Sequence, residues 1–258
     1  MKVVLFAGGL GTRLMEETEA RPKPMVEIGG KPIIWHIMKI YAHYGFNDFI
    51  ICLGYKGHMI KEYFINYYMY NTDVTVDIGN NEIEIHQTKS ENFKVALIDT
   101  GVHTKTAGRL KRVQHHLGNE TFMLTYGDGV SNINIKNLLK FHQQHKRLAT
   151  ITSIQPAGRF GSLDIDSEGN VESFVEKPKG DGAWINGGFF VLEPDIFKYI
   201  PELADEVMWE EDPLRDLGKN GQLAAYQFKG FWKCMDHLRD KMELDQLIKD
   251  DKAPWIVW

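Results

Sequence analysis

The chain opens with Val3-Val4-Leu5-Phe6-Ala7-Gly8-Gly9-Leu10-Gly11-Thr12-Arg13-Leu14 and soon reaches Arg21-Pro22-Lys23-Pro24. An apolar run with β-branched residues reads as a buried strand. Gly8, Gly9 and Gly11 let the backbone bend behind that strand and approach a bulky ligand closely. Successive N–H groups with no side chains in the way form a cradle for phosphate oxygens. Arg13 adds a planar guanidinium fork and Lys23 a mobile ammonium, the two cations suited to phosphate. The opening therefore predicts a phosphate site organised around a glycine bend near the N-terminus.

Two better-known glycine loops do not fit. The P-loop requires a Gly-Lys-Ser/Thr ending, which is missing, and the cation at this loop is Arg13. The dinucleotide fingerprint requires a third glycine where Leu14 stands. It also requires an acid about twenty residues further on, where Gly29-Gly30 falls. A nicotinamide oxidoreductase is disfavoured on both counts.

Composition narrows the remaining classes. The 258 residues are 43 % hydrophobic and 25 % charged, ordinary for a globular protein with a sizeable core. A net charge of −5 does not give the basic footprint of a nucleic-acid binder. Two cysteines, Cys52 and Cys234, suggest buried thiols rather than a disulfide framework or a zinc site. The N-terminal apolar run is too short for a membrane span and leads straight into glycines and Arg13, so neither a signal peptide nor a membrane role is expected. The cytoplasm is the expected compartment.

Outward from the loop, helical spacing covers Ile33 to Tyr41, with Pro32 expected at the first helical position. Phe49–Leu53 reads as a buried strand, followed by a helix bearing Ile60, Tyr63, Phe64 and Tyr67. Strand, helix, strand, helix at this spacing argues for parallel βαβ units. Val74-Thr75-Val76 and Ile83-Glu84-Ile85 alternate around Asn80-Asn81, the pattern of a hairpin with one wet face. Further strands are expected at 95–98, 122–125, 149–154, 171–175, 183–192 and near 224–228, with a polar loop over 101–108 and a basic helix over 109–117. A last helix runs from about His237 to Ile248, and the aromatic tail 253–258 must pack on the core or on another subunit. The expectation is one domain over 1–258: a three-layer α/β/α, Rossmann-like fold with a mixed, mainly parallel sheet, a small hairpin region and C-terminal helices.

The loop and the Pro-Lys-Pro together resemble the signature of the sugar-nucleotide pyrophosphorylases, a family of nucleotidyltransferases. Glu16-Glu17-Thr18 and the run Lys23-Pro24-Met25-Val26-Glu27-Ile28-Gly29-Gly30-Lys31-Pro32-Ile33 extend the likeness. With the later motifs and the length, it covers essentially the whole chain and is similar to the branch that uses CTP and glucose 1-phosphate. The resemblance implies Mg²⁺, no covalent intermediate, a product feeding surface-polysaccharide (O-antigen) synthesis, and assembly into homo-oligomers, often hexamers.

The same resemblance implies roles for individual residues. Arg13 and Lys23 would be catalytic, Arg13 on the leaving phosphates and Lys23 on the α-phosphate. Nucleotide would be held by Leu5, Phe6, Ala7, Gly8, Gly9, Gly11, Thr12, Arg13, Lys23, Thr106, Gly108 and Gly127. Sugar phosphate would be held by Arg109, Lys177, Asn186 and Gly187, and the metal by Asp128 and Asp236.

Residue chemistry leaves alternatives beside several of these roles. Asp128 in Gly127-Asp128-Gly129 is also good turn chemistry. Asp236 before His237-Leu238-Arg239 is also a good helix N-cap. Arg109-Leu110-Lys111-Arg112 is also the solvated face of a helix, and Asn186-Gly187-Gly188 also reads as a β-bulge. Two alternatives stand for the whole protein. A uridylyl or thymidylyl transferase would share the loop, lysines and acids. A non-catalytic sensor on the same fold would be expected to lose Arg13, Lys23 or the acids, and this chain keeps them.

Overall fold

The computed structural model describes residues 1–88, 91–156, 162–175 and 183–258. The opening run forms strand β1 (Lys2–Ala7), followed by the short helix α1 (Met15–Thr18). A two-stranded ribbon, β2 (Glu27–Ile28) and β3 (Lys31–Pro32), leads into α2 (Ile33–His43). Pro32 ends β3 and stands just before the helix, one place earlier than its φ preference suggested. Next come β4 (Asp48–Leu53), α3 (Gly57–Tyr70), the hairpin β5 (Thr72–Asp77) and β6 (Glu82–Thr88), and β7 (Lys94–Asp99).

The predicted basic helix starts earlier and is broken, as α4 (Thr106–Arg112) and α5 (Gln114–Leu117). Strands β8 (Phe122–Tyr126) and β9 (Gly129–Ser131) flank Gly127-Asp128. They are followed by α6 (Ile135–His145), β10 (Ala149–Ile154), β11 (Ser162–Ile165), β12 (Val171–Val175) and β13 (Ile185–Leu192). The C-terminal part contributes α7 (Asp212–Lys219), β14 (Leu223–Phe228), β15 (Trp232–Cys234) and α8 (Leu238–Lys249).

Seven strands form the central sheet, in the order β14-β10-β13-β8-β1-β4-β7. β1 runs parallel to both β4 and β8, β4 to β7, and β10 to β14. Only β13 is reversed, antiparallel to β8 and β10. Alternation along β1 feeds two cores. Val3, Leu5 and Ala7 face a cluster with α2 and α8, while Val4 and Phe6 face one that includes Ala107 and Leu110 of α4 and Leu217 of α7. This three-layer arrangement is the one expected.

Topology gathers chemistry at one edge. The parallel register pairs Phe6 with Tyr126, so the glycine loop and Gly127-Asp128 leave the sheet side by side. This is the carboxyl edge, where open α/β sheets bind ligands. Because β13 is reversed, its beginning reaches that edge too, with Asn186 opposite Ser153. The register between β10 and β13 shifts there, so the bulge read from Gly187-Gly188 is present.

The aromatic tail packs on the core. Trp255 is fully buried, and its ring stacks on Phe231 at a centroid distance of 5.5 Å. Its indole N–H donates to His36 Nδ1 at 3.3 Å, and His36 Nε2 bonds to the Ile28 carbonyl at 2.9 Å. The imidazole is thereby neutral, protonated at Nε2. Burial pushes its pKa down to about 4, from 6.5. The unfolded chain takes up a proton below about pH 6.5 while the folded one does not, so stability is lost as pH falls from there towards 4. We expect this group alone to remove about 3 kcal/mol across that window. Denaturant unfolding at stepped pH checks it: the His36→Gln variant should show the shallower pH dependence, and a curve parallel to the parent's refutes the assignment.

Candidate active site

Four charged groups from distant parts of the chain meet at the carboxyl edge. Lys23 Nζ lies 2.6 Å from Asp128 Oδ2 and 2.7 Å from Asp236 Oδ1, and Arg13 Nη1 donates to Asp236 Oδ2 at 2.8 Å. Local structure fixes each of them. Arg13 sits in a one-turn 3-10 helix, Thr12–Leu14, behind the glycine bend. Lys23 opens a second such turn, Lys23–Met25, and prolines on both sides set its backbone. Asp128 lies in the two-residue turn between β8 and β9. Asp236 is delivered by the pairing of β15 with β9, in which Cys234 opposes Gly129 and the Met235 N–H donates to the Asp128 carbonyl at 2.9 Å.

The helix-cap alternative for Asp236 does not hold. Helix α8 is capped at His237, and Asp240 accepts from the N–H groups of Asp236 and His237 at 3.0 and 2.9 Å. The Asp236 carboxylate is left to the cations. Burial works against its charge, but Lys23 and Arg13 outweigh burial and hold its pKa below the usual carboxylate range. For Lys23, burial likewise opposes the charge, and the neighbouring carboxylates raise its pKa overall. Both partners are charged at neutral pH.

Two cavities adjoin across these groups. The first, about 310 Å³, is lined by the loop residues Phe6, Ala7, Gly8, Gly9, Gly11, Thr12 and Arg13, and by Lys23, Thr106, Arg109 and Gly127. The second, about 220 Å³, is lined by Asn186, Gly187, Trp232, Cys234 and Asp236 among others. Arg13, Tyr126 and Asp128 line both. Among the described residues, the amides of Gly9, Leu10 and Gly11 donate to no protein acceptor.

Three residues expected at the nucleotide or the sugar phosphate have mainly packing surroundings in this structure. Leu5 is fully buried mid-strand, paired with Ile51 and Thr125, and does not line the first cavity. Gly108 also lies off the cavity. A Cβ built on it would sit 2.8 Å from the Ala204 carbonyl oxygen, so this glycine serves close packing of α4. Arg109 lines the first cavity but is 4 % exposed and turned inward. Its guanidinium lies 2.8–3.3 Å from the Thr100 hydroxyl and the carbonyls of Gly8, Leu53, Gly101 and Val102. It is not the solvated face of a helix. Gly8 makes room for it, since a Cβ there would lie 2.0 Å from Arg109 Nη1. Lys177 lies outside the described residues.

Sequence reasoning missed a polar tie between the cavities. The Tyr126 hydroxyl donates to Glu210 Oε1 at 2.6 Å and accepts from Asn186 Nδ2 at 3.0 Å. Glu210 Oε2 accepts from the Thr106 hydroxyl at 2.6 Å. Tyr126 beside Gly127 was visible, but nothing local marks Glu210. Cys234, two residues before Asp236, was read only as a buried thiol.

Comparison with known proteins identifies the family. A family model described as nucleotidyl transferase matches residues 2–247. A glucose-1-phosphate cytidylyltransferase from Salmonella typhi is 54 % identical over 259 residues, covering 100 % of both chains. A probable glucose-1-phosphate cytidylyltransferase from Bacillus subtilis is 44 % identical over 258 residues, again covering 100 % of both. Among solved structures, HddC from Yersinia pseudotuberculosis superposes with a TM-score of 0.70 at 26 % identity, over 96 % of this chain and 99 % of that one. The chain belongs to the nucleotidyl transferase family.

Proposed function

We infer that this enzyme transfers a cytidylyl group from CTP to α-D-glucose 1-phosphate, giving CDP-glucose and pyrophosphate. The observation that carries the reading is the meeting of Arg13, Lys23, Asp128 and Asp236 where two cavities adjoin. Full-length relatives named for this activity support it. The first cavity takes the nucleotide and the second the sugar phosphate.

Such a transfer asks a protein for positioning and charge stabilisation more than covalent chemistry. A phosphate oxygen of glucose 1-phosphate attacks the α-phosphorus of CTP. The new P–O bond forms in line as the bond to the β-phosphate oxygen breaks, and pyrophosphate leaves with the electron pair. The attacking oxygen belongs to a phosphate that is largely dianionic at neutral pH, so no base is required. Glycine-loop amides and Arg13 hold the departing phosphates. Lys23 neutralises charge at the α-phosphate, and Asn186 with Gly187 meets sugar hydroxyls. Lys177 is assigned to the attacking phosphate by resemblance alone. Thr106, tied to Glu210, borders the nucleotide, and Arg109 braces the loop from beneath.

Asp128 and Asp236 would hold Mg²⁺. The donor set fits: two carboxylates already converge on one cationic point, and Mg²⁺ favours a carboxylate or two together with phosphate oxygens and water. When bound, it neutralises phosphate charge. We assign the whole chain, 1–258, to one nucleotidyltransferase domain in the cytoplasm. The family model spans nearly all of it, and among the described residues no helix is long and apolar enough to cross a membrane.

A pyrophosphate-release assay across four nucleoside triphosphates and a panel of sugar 1-phosphates should show activity with CTP and glucose 1-phosphate, abolished by chelation. Preference for UTP or dTTP would replace the base assignment. Lys23→Ala should lower kcat/KM about 10²–10³-fold while the protein remains folded, because the lysine acts on charge that grows in the transition state. Unchanged kinetics would remove Lys23 from the mechanism.

We also place a second copy of this chain on the β5–β6 hairpin. Its paired residues Val76 and Ile83 are 54 % and 56 % exposed, and Ile78 at the turn is 89 % exposed. An isolated two-stranded ribbon with a bare apolar face is marginal in water. Light scattering should report an oligomer that Val76→Lys with Ile83→Lys dissociates. A parent protein monomeric at working concentration rules this interface out.

A further inference from the structure

The strand that delivers Asp236 carries a third donor that the transfer reaction does not use. Cys234 Sγ and one oxygen each of Asp128 and Asp236 lie within 4.8 Å of one another. The thiol is half-buried and lines the second cavity with both carboxylates, so an ion reaches it from the substrate side. Backbone holds this set together: Cys234 opposes Gly129 in the β15–β9 ladder, and the Met235 N–H ties down the Asp128 carbonyl.

Donor hardness separates the ions that this set can take. Mg²⁺ is a hard cation that binds oxygen, and a sulfur donor adds nothing to its affinity. Zn²⁺ binds thiolate and carboxylate together, and three protein ligands leave a fourth tetrahedral position for water or a phosphate oxygen. The geometry points to Asp128, Cys234 and Asp236 as a site for a soft divalent cation, Zn²⁺ or Cd²⁺, at the position assigned to Mg²⁺. Only the overlap with Mg²⁺ rests on the reading in the preceding section. Binding forms a sulfur–metal bond as the thiol proton passes to solvent, and no electrons are transferred. Lys23 Nζ bridges both carboxylates, so a soft ion tethered by sulfur competes with it for them.

The test is titration of Cd²⁺ into metal-free, full-length protein, followed by sulfur-to-cadmium charge-transfer absorption. The parent should develop the band and saturate at a single equivalent. Cys234→Ser should show none, and Asp236→Asn should weaken binding roughly tenfold or more. Cys52→Ala should keep the band, with circular dichroism verifying that each variant is folded. A band that survives in Cys234→Ser, or vanishes in folded Cys52→Ala, overturns the site. Magnesium forms a separate arm. A Cd²⁺ midpoint that rises with added Mg²⁺ supports the overlap. An unmoved midpoint overturns the overlap and the Mg²⁺ assignment, while the thiol-dependent band still stands or falls on its own.

Discussion

One ammonium shared by two carboxylates holds the site together. Lys23 reaches Asp128 from one side and Asp236 from the other, with its own side chain only 11 % exposed. The three residues come from a proline-framed turn, the end of a central strand and a short ladder near the C-terminus. Removing one member of such a partly buried set leaves charge without a partner, which costs far more than the pair contributes when intact. The N-terminal and C-terminal parts of the chain are therefore linked electrostatically as well as through the sheet.

The central sheet determines where that meeting occurs. Strand β1 lies between β8 and β4, all three parallel, so the turns after them open at the same edge. The Gly8 carbonyl then accepts from both the Tyr55 N–H and Arg109. Arg109 also grips the ends of β4 and the segment after β7 through Leu53, Thr100 and Gly101. One buried cation thus fastens three successive crossovers beneath the glycine loop. A loop held this way presents its amides without reorganisation, which favours electrostatic stabilisation of a transition state.

Residues that act through local pattern were legible in the sequence. The central parallel strands β1, β4 and β8 are buried on both faces and read as continuous apolar runs, and the 72–88 hairpin shows period-two alternation on a half-wet ribbon. Arg13, Lys23 and Asp128 carried short-range signals: a glycine bend, flanking prolines, a Gly-Asp-Gly turn. What failed depended on distant partners. Trp232-Lys233-Cys234 is too short and mixed to read as a strand, yet its pairing with β9 brings Cys234 and Asp236 to the site, while His237 caps α8. Arg109 sits in a basic run, and only the close packing of α4 through Ala107 and Gly108 shows that it faces inward. Glu210 has no local mark because its role is made by Tyr126 and Thr106, both far off in sequence.

The paired state of the charges also constrains how a polyanion enters. Arg13 and Lys23 are already neutralised by Asp128 and Asp236, so the cleft is not a simple positive well. Phosphate oxygens reach the two cations only if the carboxylates give them up. Released carboxylates facing triphosphate oxygens would repel them unless a second cation stood between. On the proposed mechanism, nucleotide and divalent ion would therefore bind with positive coupling, each raising the other's affinity by the same factor. With such coupling, a bare anion would meet a closed salt-bridge network that a metal-complexed one would open.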